Sequence, residues 1–109
     1  MEVTFANSDL QTICEDPRQA KRELGPASAK KLQARLADLV AASRLGDVPA
    51  GQPHPLKGSR EGQFSIRLSG GQRLVSEAAD EPVPTASDGA IDWKNVSAIR
   101  IVFIGDYHD

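Results

Sequence analysis

With 39% hydrophobic and 26% charged residues over 109 positions, the chain has ordinary globular composition and can bury a modest core without staples. A single cysteine, Cys14, excludes an internal disulfide and fits a reducing cytoplasm. No run reaches the roughly 18 apolar residues of a membrane span, and Met1-Glu2-Val3-Thr4-Phe5 lacks the basic and apolar regions of a signal peptide. The expectation is one domain, 1–109, located in the cytoplasm.

The net charge of −2 argues mildly against a nucleic-acid binder, but the charge is unevenly spread. Residues 54–73 set Lys57, Arg60, Arg67 and Arg73 against Glu61 alone, whereas residues 74–109 are strongly acidic. A basic middle in an acidic protein reads either as a phosphate footprint or as a solvated strand face.

In chain order, Val3-Thr4-Phe5 reads as a short first strand. Asn7-Ser8-Asp9 offers helix caps, followed by Leu10, Ile13 and Cys14 at helical spacing. Asp16-Pro17 starts a second helix, with Asp as cap and Pro at the first position, anchored by Leu24 and ended by Gly25. The longest helix is predicted over 26–43, with Leu32, Leu36 and Leu39 at i, i+4, i+7 and Val40 beside them.

Residues 46–62 are rich in Gly and Pro and read as a long ordered loop, an unusual and often functional feature in a compact domain. Residues 63–68 alternate polar and apolar as a half-buried strand, Ser69-Gly70-Gly71-Gln72 is a hairpin turn, and 73–78 is the return strand. Residues 79–97 read as a mobile excursion, with Trp93 packing back near its end. The apolar run 98–104 suits a central strand covered on both faces, ended by Gly105. This order predicts an α+β domain, its N-terminal helices packed on one face of a mainly antiparallel sheet.

Chemistry concentrates in two places. His54 stands between Pro53 and Pro55, which stiffen its loop. Asp106-Tyr107-His108-Asp109 closes the chain. Cleaving RNA without a metal needs a base for the 2′-hydroxyl, cations for the charged transition state and an acid for the leaving oxygen. His54 and His108 can share acid and base roles. Lys57 and Arg73 can hold phosphate, Arg in a bidentate manner. Tyr107 can stack on a base or donate a hydrogen bond, and Asp106 can orient a histidine or act as base. The expectation is that the fold brings the two ends into one site. Against it stand the plain readings of a loop histidine and a fraying terminus. A metal site on His54, His108 and nearby carboxylates lacks any supporting spacing.

His54-Pro55-Leu56-Lys57-Gly58, the following strand and Gly-rich turn with Arg73 just after it, and the closing Asp106-Tyr107-His108 together resemble the HigB-type killer toxins of the RelE/ParE-like superfamily. The resemblance runs over most of the chain in order and spacing. It implies a compact toxin that enters the ribosomal A site and cleaves translated mRNA, neutralised by a helix-turn-helix antitoxin of the HigA type. It implies His54, Asp106, Tyr107 and His108 as catalytic candidates and no cofactor. Lys57 and Arg73 would bind phosphate, with Arg60 and Arg67 in the same basic stretch. The alternatives are a non-catalytic member of the same fold acting through a protein partner, and an unrelated small structural domain. Both histidines and Tyr107 favour the nuclease, because a pure binder needs no acid/base set.

Overall fold

The computed structural model describes residues 1–106; Tyr107, His108 and Asp109 lie outside the described residues. Strand β1 (Glu2–Phe5) leads into helices α1 (Ser8–Glu15), α2 (Pro17–Leu24) and α3 (Pro26–Ala41). Strands β2 (His54–Pro55), β3 (Gln63–Arg67), β4 (Gln72–Ala78) and β5 (Ala98–Asp106) follow. They form one five-stranded sheet in the order β1-β5-β4-β3-β2. All pairings are antiparallel except that of β1 with β5. The α+β expectation holds.

The helix boundaries follow local chemistry. Asn7 accepts from the Leu10 amide at the start of α1, and Asp16 accepts from the amides of Arg18 and Gln19 ahead of Pro17. Gly25, at φ +85°, turns the chain between α2 and α3. The fully buried residue of α2 is Ala20, while Leu24, the expected anchor, packs partly buried against the same core. Helix α3 ends at Ala41, two residues early, and Val40 is 63% exposed. Its stripe is Leu32 and Leu39, both at 0% exposure, with Leu36 partly buried.

These helices cover the sheet face bearing Phe64, Ile66, Leu74, Ile99 and Ile101. Each large apolar side chain sealed there contributes about 1.5–3 kcal/mol. Cys14 belongs to this core, and burial, with the Glu15 charge beside it, pushes its thiol up to about 12. It is a small apolar filler rather than a nucleophile. Buried Ser28, near the start of α3, clamps the hairpin turn: its hydroxyl accepts from the Ser69 amide at 3.1 Å and donates to the Ser69 carbonyl at 3.4 Å. No helix among the described residues is long and apolar enough to cross a membrane.

Three segments differ from the sequence expectation. Residues 46–62 are not one plain loop: His54–Pro55 pairs with Ser65 and Phe64 as an edge strand, flanked by 3-10 turns at Leu45–Asp47 and Gly58–Arg60. Residues 79–97 are a folded connection rather than a mobile excursion. A bridge joins Thr85 to Ile91, and Asp80 accepts from the Ser97 hydroxyl and from the amides of Ser97 and Ala98. As expected, Trp93 packs back, its ring 5.0 Å from that of Phe64. Finally, β5 is an interior strand between β1 and β4 and runs through Gly105 to Asp106, but only one of its faces is sealed. A register shift between Val75 and Ser76 leaves Val102 unmatched. Phe103 is thereby turned to the face opposite the helices, and it stays half-buried.

Candidate active site on the open sheet face

The sheet face without helices carries the basic stretch. Two cross-strand rows define it. One runs His54, Ser65, Val75, Phe103 over β2 to β5. The next runs Arg67, Arg73, Gly105, nearer the hairpin turn. Ser65 and Val75 are fully buried although no helix lies over them. Phe103 stands at the end of their row, and the Arg60 guanidinium stacks 4.5 Å from its ring centroid. This lid is a cation–π contact that also covers apolar floor. Among the described residues the Ser65 hydroxyl has no hydrogen-bond partner.

His54 is exposed, and its Nδ1 lies 2.8 Å from the carbonyl oxygen of Gln52. A carbonyl only accepts, so Nδ1 carries the proton, and in the neutral ring Nε2 is the free lone pair. Gln52 is the one non-glycine residue with positive φ among the described residues, at +47°. Such a conformation costs on the order of 1 kcal/mol. Its side-chain Oε1 accepts from Arg67 Nη1 at 3.0 Å. Just before it, the Gly51 carbonyl accepts from the Arg67 amide at 2.7 Å, continuing the β2–β3 ladder. Gly51 has φ +90°, and a Cβ there would meet Ile66 Cγ2 at 2.5 Å. The histidine loop is thus seated on the end of β3 through backbone and side chain together.

Arg67 and Arg73 are directly paired across strands. Arg73 Nη1 donates to the carbonyls of Gly70 and Gln72. Among the described residues, neither arginine has a carboxylate partner within salt-bridge distance. The acid on this face, Glu77, is taken up by Arg100, farther from the turn. Lys57 is exposed at the start of the Gly58–Arg60 turn. Arg60 is half-buried, engaged by Phe103 and by Gln63 Oε1 at 3.0 Å. The result is a positive surface with anchored guanidinium groups, suited to a phosphate backbone.

The structure brings His54 and Arg67 together through Gln52, and Arg67 to Arg73. It does not bring Asp106 to His54. Asp106 pairs with Gln72, with its carboxylate against Gly71, where an added Cβ would meet Oδ2 at 2.6 Å. Three strand spacings and three residues of rise separate the two positions, roughly 17 Å. The pairing of His54 with Asp106 as an acid/base couple therefore does not form, because they lie on strands that are not neighbours. Tyr107 and His108 fall outside the described residues. Sequence reasoning missed Gln52 and Phe103. Gly51 ahead of Gln52 is a local signal for unusual backbone, whereas Phe103 hides in an apolar run.

Three helices on one face of a five-stranded, mainly antiparallel sheet match the fold of solved YoeB-like toxin structures. No protein-family model matches the chain, and no curated protein matches it in sequence. Among solved structures it is similar to a YoeB/ParE toxin from Agrobacterium tumefaciens, with TM-score 0.58 and 14% identity over 99% of this chain and 100% of that one. It is likewise similar to a chain of the YoeB-YefM complex from Staphylococcus aureus, with TM-score 0.57 and 19% identity over 100% and 98%. A YoeB dimer from Staphylococcus aureus gives TM-score 0.57 and 20% identity over the same shares. At these identities the likeness establishes the fold.

Proposed function

We propose that this chain is the toxin of a type II toxin–antitoxin pair, a single toxin domain of HigB type acting in the cytoplasm. Its activity is ribosome-dependent mRNA cleavage by acid/base chemistry. The observation that carries this reading is the open sheet face: a histidine with Nδ1 tied to a carbonyl, beside two guanidinium groups that have no carboxylate partner among the described residues. His54 Nε2 takes the proton of the 2′-hydroxyl as that oxygen attacks the adjacent phosphorus. Arg67, Arg73 and Lys57 stabilise the charge that accumulates on the phosphoryl oxygens. Protonation of the departing 5′-oxygen falls to Tyr107 and His108, which follow Asp106 in the chain. A sheet-only binding protein would have no use for a histidine fixed in one tautomer.

The partner is an antitoxin. The YoeB-YefM complex among the similar structures supports a paired protein, and the HigB-type resemblance makes it a helix-turn-helix protein of the HigA type. The test is a cell-free translation reaction with mRNA ends mapped by primer extension. Wild type should produce new ends only when ribosomes translate, and His54→Ala and His108→Ala should each abolish them. Folded wild type that leaves mRNA intact would overturn the nuclease and favour the alternative, a binding protein of the same fold.

A further inference from the structure

We propose that Gln52 is a positioning residue that sets His54 and Arg67 as one unit; this rests on the nuclease reading above. The carbonyl of Gln52 accepts from His54 Nδ1 at 2.8 Å, and its side-chain Oε1 accepts from Arg67 Nη1 at 3.0 Å. One residue therefore holds both the ring and the guanidinium.

The left-handed backbone of Gln52 makes this arrangement. His54 pairs with Ser65, so the ladder would place residue 52 opposite Arg67. At φ +47° the chain departs from extended geometry there. The Gln52 carbonyl can then turn back toward the imidazole two residues on. A strained residue that is not glycine persists where its surroundings determine it, and such sites concentrate near function. Glycine would adopt this conformation without strain, but it has no side chain with which to grip Arg67. A glutamine serves here as an amide acceptor for a guanidinium, and it leaves the arginine's charge uncancelled for phosphate. A carboxylate at the same position would form an ion pair and lower the positive potential of the face.

The tautomer follows from the same geometry. Free imidazole can carry its neutral proton on either nitrogen, and the hydrogen bond made by one nitrogen fixes the role of the other. With Nδ1–H committed to Gln52, Nε2 is the basic nitrogen. If Gln52 loses Arg67, the carbonyl is free to rotate and the tautomer is no longer held.

The test uses the full chain labelled with 15N. Long-range 1H–15N spectra of the imidazoles are recorded at a pH where the rings are neutral, with His108→Gln identifying the His54 signals. In wild type, His54 should show a protonated Nδ1 and a pyridine-like Nε2. Gln52→Gly should keep the fold and thermal midpoint while His54 becomes a tautomer mixture. Its translation-dependent cleavage should fall on the order of 10-fold to 100-fold, as when an outer partner that orients a histidine is removed. Gln52→Asn, with the amide one carbon shorter, should recover part of the tautomer preference. A protonated Nε2 in wild type, or a Gln52→Gly spectrum identical to wild type, overturns the proposal. The spectra decide the role of Gln52 without reference to cleavage, so a wild type that cuts no mRNA would count against the nuclease reading alone.

Discussion

Arg67 and Arg73 face each other directly across β3 and β4, on the side of the sheet that no helix covers. Directly opposed like charges destabilise a strand pair by roughly 0.2–1 kcal/mol relative to neutral residues. The fold tolerates this because each guanidinium is tethered elsewhere, Arg67 to Gln52 and Arg73 to the carbonyls of the turn. Arg73→Gln should therefore leave the thermal midpoint equal or slightly higher while RNA binding weakens. Filter binding over a salt series should show a log–log slope smaller by about 0.7, the value for neutralising one phosphate fewer. A fall in stability with unchanged RNA affinity would make Arg73 a structural residue of the turn.

Much of this frame could be read from local chemistry. Asp16-Pro17, Gly25 and Gly70-Gly71 mark their boundaries because a cap, a fixed φ or a positive φ is needed within a few residues. Leu32 and Leu39 reveal the buried stripe because the helical period is local too. Parallel pairing of β1 with β5 joins the two ends of the chain, and nothing in either strand encodes it. The run 98–104 gave no sign that a bulge opposite Val75 and Ser76 would shift its alternation and turn Phe103 outward. For the site, residue types disclosed the basic face, but the distance from His54 to Asp106 depends on strand order. Gln52 acts through backbone conformation, which its identity alone does not reveal.

Gly51 is the hinge on which the histidine loop is seated, and substitution there should be severe. Gly51→Ala forces an L side chain into φ +90° and drives its Cβ to within 2.5 Å of Ile66 Cγ2 in the core. Left-handed strain and overpacking together should cost about 2–4 kcal/mol, read as a lower denaturant midpoint at unchanged slope. By contrast, Gly71→Ala meets the end of the exposed Asp106 side chain, which can swing away. It should stay within about 0.5 kcal/mol of wild type.

Asp80 gives the protein a stability term that depends on acid. Partial burial acts to raise its carboxyl, but the Ser97 hydroxyl and the amides of Ser97 and Ala98 outweigh burial and hold it below the usual aspartate value. A carboxyl depressed in the folded state contributes stability that is present in full above its unfolded pKa. That stability is lost as pH falls through the lower, folded value. Asp80→Asn should thus cost up to about 1 kcal/mol at neutral pH. The gap between variant and wild type should close as melts are taken at successively lower pH below the ordinary aspartate range. A gap that persists unchanged into acid would mean that the Asp80 contribution does not depend on its charge.

The Arg60–Phe103 lid should be worth more than its cation–π contact. Phe103 stands beside buried Val75, at the end of the row that also holds buried Ser65. Phe103→Leu keeps an apolar cover and removes the ring face, so it should lose about 0.5–1 kcal/mol. Phe103→Ala uncovers the floor as well. For a half-buried ring it should cost about 2 kcal/mol, roughly half the value for a fully buried phenylalanine. Arg60 would lose its platform in both variants, whereas His54, at the far end of the row, would keep its bond to Gln52. Urea melts of the two variants with Arg60→Ala as a third arm separate these terms. Equal losses for Phe103→Leu and Phe103→Ala would assign the stability to the guanidinium stack; a larger loss for alanine assigns it to burial of the sheet beneath.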